Sequence, residues 1–152
     1  MISIINDIKY NDSGLVPTIV QDYNTGDILM FAFSNEEAVR KSINTNIAHF
    51  WSRSRNELWE KGATSGNRLN IVNIYIDCDR DCLLYMVNPD GPACHTNTKS
   101  CFYTDLNNKE REVPLLKAQV MNEVFSIIES RKKDDKNDKS YTKSLFKNGL
   151  KQ

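Results

Sequence analysis

Two runs rich in apolar and β-branched residues, Val16 to Asp22 and Ile28 to Phe33, are separated by Tyr23-Asn24-Thr25-Gly26-Asp27. Asn, Gly and Asp at such a junction suit a tight connection, so the pattern predicts two paired strands. Ser34, three residues before Glu37 and ahead of Ala38-Val39, has the spacing of a capping box and predicts a short helix reaching about Asn44. Strand character resumes at Ala48-His49-Phe50-Trp51. From Arg53 to Asn67 the chain is polar and carries Gly62, Ser65 and Gly66, which predicts a long loop of the kind that often serves function. Leu69 to Ile76 and Leu83 to Val87 are further β-rich runs, and Asn88-Pro89-Asp90-Gly91 is a strong turn signal. Beyond about Val113, Leu115, Leu116, Val120, Val124, Phe125, Ile127 and Ile128 recur at roughly helical spacing, followed by a charged stretch, Arg131 to Lys139. This predicts a main domain over 1–113 and a helical extension over 114–152. Ser140 to Leu150 has room for one more short helix.

The chain has 152 residues, enough for one domain with a real core and too few for two full domains. Twenty Lys and Arg balance twenty Asp and Glu, so the overall charge points to neither nucleic acid nor an anionic membrane as partner. The N-terminal residues lack a basic leader with a sustained apolar run, and no stretch approaches the ~20 apolar residues needed to span a bilayer. The expectation is a cytoplasmic protein.

Chemistry concentrates in one place. Asp77-Cys78-Asp79-Arg80-Asp81-Cys82, Cys94-His95 and Ser100-Cys101 put three carboxylates, four thiols and an imidazole within twenty-five positions. A secreted disulfide scaffold would spread its cysteines along the chain, so metal ligation is the better reading. Thiolates suit zinc and carboxylates suit magnesium or calcium, which suggests two ions of different hardness. If the strand from Leu69 continues through Asp81, alternation places Asp77, Asp79 and Asp81 on one face and Cys78, Arg80 and Cys82 on the other. An EF-hand loop is excluded, because Cys82 and Asn88 stand where it needs Gly and Glu.

Cys94 and Cys101 flank a polar loop and can fold back on one zinc ion with Cys78 as third ligand. Three protein ligands leave a position open for water, whereas a fourth, Cys82, would close the site and make it structural. His95 fits three roles: general base for the water, ligand, or hydrogen-bonded loop residue. Trp51 and Trp59 read as core residues rather than stacking platforms, and His49 as a packed strand residue.

At these residues the chain resembles the phosphoribosyl-AMP cyclohydrolase family. The resemblance rests on Phe50-Trp51-Ser52-Arg53-Ser54-Arg55, on Leu58-Trp59 with Lys61-Gly62 and Thr64-Ser65-Gly66-Asn67, and on Asp77-Cys78-Asp79 with Asp81. It continues in Gly91-Pro92, Cys94-His95-Thr96 and Ser100-Cys101-Phe102. It implies an α+β fold, β-rich and mostly antiparallel, in an intertwined homodimer. It further implies that Cys78, Cys94 and Cys101 ligate zinc across the dimer, Cys78 from one subunit and the other two from its partner. Asp77, Asp79 and Asp81 would bind Mg2+, and Cys82 is not among the expected ligands.

The implied reaction is a step of histidine biosynthesis, the hydrolytic opening of phosphoribosyl-AMP. Substitution at purine N1 leaves the ring cationic and C6 electrophilic, so zinc-bound hydroxide attacks C6 and the N1–C6 bond breaks; zinc deaminases attack adenine at the same carbon. His95 would shuttle the proton. Arg53, Ser54, Arg55 and Lys61, with Thr64, Ser65, Gly66 and Asn67, would bind the doubly phosphorylated substrate. From Val124 onward the chain resembles the opening of phosphoribosyl-ATP pyrophosphatase, with the acidic metal-binding helix of that family missing, so pyrophosphatase activity is not expected. The competing readings are a structural zinc module that mediates dimerisation and a nucleotide-binding protein without catalysis.

Overall fold

In the computed structural model, residues 4–107, 109 and 124–130 are described. The chain falls into two units, Met1–Arg111 and Glu112–Gln152. Of the second, the described residues 124–130 are helical; the remaining expectations for the C-terminal extension lie outside the described residues.

The first unit is built on one six-stranded sheet. The strands are β1 (Val16–Asp22), β2 (Ile28–Ser34), β3 (His49–Ser52), β4 (Glu57–Glu60), β5 (Leu69–Ile76) and β6 (Leu83–Pro89), accompanied by a 3-10 turn at Ile4–Asp7 and the α-helix α1 (Glu36–Thr45). Their order is β4-β3-β2-β1-β6-β5. All neighbours pair antiparallel except β1 and β6, which run parallel with Thr18 opposite Leu83. The α+β, mostly antiparallel expectation agrees with this sheet.

Alternation along β1 buries Val16, Thr18, Val20 and Asp22, and along β6 it buries Leu83, Tyr85 and Val87. Phe50, Leu29 and Leu69 are also fully enclosed, each worth about 1.5–3 kcal/mol on burial. Helix α1 turns Ala38, Val39 and Ser42 inward.

Three local expectations are corrected. The helix cap is Asn35, whose Oδ1 accepts the Ala38 N–H at 2.9 Å. Ser34 instead ends β2, with its buried hydroxyl 3.0 Å from that of Thr18. The polar stretch Arg53 to Asn67 is interrupted by β4, which pairs with β3 through Phe50 opposite Trp59. Glu residues at both ends of this four-residue strand hide its alternation.

The third correction concerns the metal-ligand cluster. Strand β5 stops at Ile76 and the chain reverses, with the Asp77 N–H donating to the Cys82 carbonyl at 3.1 Å. Asp77 Oδ1 accepts the N–H groups of Asp81 and Cys82 at 3.0 and 3.1 Å, and Arg80 takes a left-handed φ of 64°. The two-face argument for Asp77 to Cys82 therefore fails. The carboxylate that opens the run satisfies the amides of its own turn, which an extended strand would leave to a neighbour.

Candidate active site

The segment after β6 leaves the sheet at Asp90, whose N–H donates to the Arg68 carbonyl, and folds into a closed loop carrying Cys94 and Cys101. Within it, Ala93 N–H reaches the Lys99 carbonyl and Cys94 N–H the Thr98 carbonyl, both at 3.2 Å; Asn97, with φ 65°, makes the bend. The Cys101 N–H then donates to the Leu29 carbonyl at 2.7 Å, laying the end of the loop along β2.

Opposite this loop, the chain leaving β4 makes a second tight turn. Gly66 N–H returns to the Gly62 carbonyl, and Lys61 Nζ lies 3.5 Å from the Asn67 carbonyl. Gly62 has φ +86°, and a Cβ there would meet the Asn67 backbone at 2.4 Å, so glycine is required. Arg68 closes the turn from outside through Glu60 at 3.0 Å. His49, buried beside it, lies 2.8 Å from the Ile47 carbonyl through Nδ1 and 3.6 Å from Glu60 through Nε2, as a packed strand residue.

Between the two loops lies a cleft of about 420 Å³. It joins Cys94, His95 and Cys101 to Lys61, Thr64, Ser65 and Asn67. Gly66 is not on its wall. Arg53, Ser54 and Arg55 line an adjoining hollow of about 340 Å³, where the Arg53 guanidinium lies 4.2 Å from the centre of the Phe33 ring. Trp59, half-buried and packed against the core with its ring centroid 5.7 Å from that of Phe50, borders both hollows, and Trp51, also half-buried, borders the second. Sequence reasoning also passed over Met30 and Asn97 as wall residues. An asparagine between two candidate ligands was the available signal for Asn97, because Asn tolerates the left-handed bend.

The two thiols lie within reach of each other and of a buried cation. Burial pushes the Cys94 thiol up, but hydrogen bonds from Thr96, Thr98 and Cys101 outweigh it and bring it down to about 6. The Thr96 hydroxyl is 3.1 Å from the sulfur and His95 Nδ1 is 3.9 Å from it. Cys101 moves the opposite way, to about 11, through burial and the neighbouring Cys94, with Lys61 opposing. Lys61, only 7% exposed, is lowered by burial while both sulfurs pull it back. Two sulfurs, that of Cys94 biased toward the thiolate, and the Lys61 amine line the same cleft, a donor set suited to a soft metal ion.

Cys78 is elsewhere. Ile76 pairs with Leu83 at one end of the β5–β6 hairpin and Leu69 with Pro89 at the other, a run of about 23 Å at strand rise. Cys78 sits exposed on the turn at the first end, and the Cys94 loop departs from the second. Among the described residues, no three His, Cys, Asp or Glu side chains of one chain gather around an ion-sized point. Asp77, Asp79 and Asp81 are accordingly not brought together, and Cys82 is half-buried with its thiol on the Leu83 carbonyl at 3.8 Å.

Residues 30–103, which include both walls of the cleft and the Asp77–Cys82 turn, match the family model described as phosphoribosyl-AMP cyclohydrolase. A phosphoribosyl-AMP cyclohydrolase of Clostridium botulinum (strain 657 / Type Ba4) is 54% identical over 104 residues, covering 68% of this chain and 94% of that protein. This chain belongs to the phosphoribosyl-AMP cyclohydrolase family. The cyclohydrolase of Archaeoglobus fulgidus is 49% identical over 104 residues, covering 68% of this chain and 96% of its own length. The histidine biosynthesis bifunctional protein HisIE of Aquifex aeolicus (strain VF5) is 39% identical over 143 residues, covering 93% of this chain and 69% of that protein. Similarity to the bifunctional protein thus reaches into the second unit, beyond the span of the cyclohydrolase family model. Among the described residues of this family member, no helix is long and apolar enough to cross a membrane.

Proposed function

We propose that the chain is a phosphoribosyl-AMP cyclohydrolase, adding water across the purine N1–C6 bond of phosphoribosyl-AMP in histidine biosynthesis. The observation that carries this reading is the single cleft in which Cys94, Cys101 and His95 face Lys61, Thr64, Ser65 and Asn67. Metal-ligand chemistry and phosphate-binding chemistry meet there at a volume suited to a nucleotide portion of the substrate.

Cys94 and Cys101 are the proposed zinc ligands of one chain. The fit is good, because one thiol already favours the thiolate and the buried Lys61 ammonium offsets the charge of the pair. The third ligand is Cys78 of a second copy, which makes the functional unit a homodimer. Zinc bound there would supply Lewis acidity and bring the pKa of a water to about 7. Asp77, Asp79 and Asp81 are the proposed magnesium ligands; their carboxylates do not gather in one chain, and no step depends on them here.

The chain's own groups divide the remaining work. His95, at the mouth of the cleft, takes a proton from the water that adds to C6 and returns one to N1 as the N1–C6 bond breaks. The exocyclic amine is retained and ends as a carboxamide. Lys61 and the hydroxyls of Thr64 and Ser65 bind one phosphate, and Arg53 and Arg55, with Ser54, bind the other from the adjoining hollow. Trp59, on the border of both, would lie beside the sugar that joins the two halves.

The experiment is direct. Metal-loaded protein incubated with phosphoribosyl-AMP should produce the ultraviolet change of ring opening, and its absence would defeat the assignment.

A further inference from the structure

Three successive residues of the ligand loop are laid against the β1–β2 hairpin. Lys99 Nζ donates to Asp27 Oδ2 at 2.7 Å and to Thr25 Oγ1 at 3.1 Å, and stands 3.4 Å from Asp22 Oδ2. Ser100 Oγ donates to the Ile28 carbonyl and the Cys101 N–H to the Leu29 carbonyl, each at 2.7 Å. On the Cys94 side, the Lys99 carbonyl accepts the N–H of Ala93, the residue before Cys94, and the carbonyl of Thr98, the residue before Lys99, accepts the N–H of Cys94 itself. Lys99 is thus bonded to the β1–β2 hairpin through its side chain and to the neighbour of Cys94 through its carbonyl, two residues before Cys101.

The acceptor for Lys99 is held by the hairpin's own hydrogen bonds. Asp22 and Asp27 are 4% and 5% exposed, although they lie on a hairpin turn. Asp22 enters the interior because β1 alternation turns it inward. Its Oδ1 accepts the N–H groups of Asn24 and Thr25 at 2.9 and 3.2 Å, while its main chain pairs with Gly26 and Asp27. Among the described residues, the two enclosed carboxylates face the half-exposed Lys99 ammonium, and removing that cation leaves buried charge behind, which costs more than breaking a fully exposed pair. Lys99, Asp22 and Asp27 all lie off the wall of the cleft, so they act on it from behind.

We propose that Lys99, anchored by Asp22 and Asp27, is a positioning residue that fixes the spacing of Cys94 and Cys101 for metal binding. The metal part rests on the zinc reading above; the loop-anchoring part does not. In this arrangement the β1–β2 turn is an outer support of the ligand pair, comparable to the hydrogen-bond partners that orient metal ligands generally.

The test uses the full chain with Lys99→Met and Lys99→Arg, both checked for folding by circular dichroism. In metal-free protein, reaction of Cys94 with a chromogenic disulfide reagent, located by peptide mapping, should accelerate in Lys99→Met, because Cys94 is only 7% exposed. Zinc affinity, read by competition with a chromophoric chelator, should fall about 10- to 100-fold in Lys99→Met. Lys99→Arg should recover most of both changes. Parental Cys94 reactivity in folded Lys99→Met overturns the proposal, as does parental zinc affinity with a loosened thiol. Failure of the parental chain to bind zinc would defeat the zinc reading instead, and the thiol measurement would still decide the anchor. If Lys99→Met does not fold, Asp27→Asn, which keeps the side-chain shape and leaves Asp22 in place, carries the same expectations in both measurements.

Discussion

Gly62 is pressed against Asn67 so closely that a Cβ at position 62 would stand 2.4 Å from both the carbonyl carbon and the carbonyl oxygen of residue 67. Backbone cannot yield as a flexible side-chain end can. Gly62→Ala should therefore displace the whole Lys61-to-Asn67 wall and add the strain of φ +86°. We expect kcat/KM for phosphoribosyl-AMP to fall about 100-fold or more, the scale that a 1 Å misplacement produces, with a lower Tm. Parental kinetics in the purified variant would show that this wall does not shape the cleft.

His95 is exposed and adjoins Cys94 without carrying core packing. His95→Ala should leave the melting temperature and zinc content near parental values while kcat drops by about 10²- to 10⁴-fold, the usual worth of a positioned acid–base group. A folded variant with full turnover would remove the proton-transfer role.

Chelation should separate catalysis from folding. Removing zinc should abolish ring opening and restoring it should recover turnover, with zinc stoichiometry reaching one ion per chain only in the dimer fraction. A monomer that holds zinc as tightly as the dimer would contradict the shared ligand set, because Cys78 and the Cys94 loop leave opposite ends of one hairpin.

Tyr10 gives a pH prediction. Among the described residues nothing hydrogen-bonds its buried hydroxyl, and burial, with Glu36 and Tyr85 adding and Arg40 opposing, pushes its pKa from 10.0 up to about 12. The folded state favours the neutral phenol, so this contribution is intact below about pH 10 and is lost as pH rises through about 12. Parental protein should lose urea resistance between about pH 10 and about pH 12 more steeply than Tyr10→Phe. Equal losses would show that Tyr10 does not govern alkaline stability.

The sheet was legible where its residues are apolar and β-branched, as in Val16 to Val20, Ile71 to Ile76 and Leu83 to Val87. Strand β4 was not, because Glu57 and Glu60 read as loop until pairing with β3 is known. Asp77 to Cys82 misled in the opposite sense: alternating acids and thiols imitate a strand, whereas the Asp77 carboxylate caps a turn. Lys61, Thr64, Ser65 and Asn67 could be singled out with Cys94, His95 and Cys101 from their residue types and family resemblance, and the cleft joins them. The anchor between Lys99 and Asp27 could not, since the partners are 72 positions apart and the turn signal at Asp27 says nothing of what its carboxylate will meet.

The length of the β5–β6 hairpin has a genetic consequence. If each zinc site draws Cys78 from one subunit and Cys94 with Cys101 from the other, a Cys78→Ser chain and a Cys94→Ser chain are each inactive alone but fail at different positions. In a mixed dimer one site collects both substitutions and the other collects neither. Co-expression of the two dead alleles should then restore about one quarter of parental activity, the statistical yield of random two-fold assembly, and let a histidine auxotroph grow.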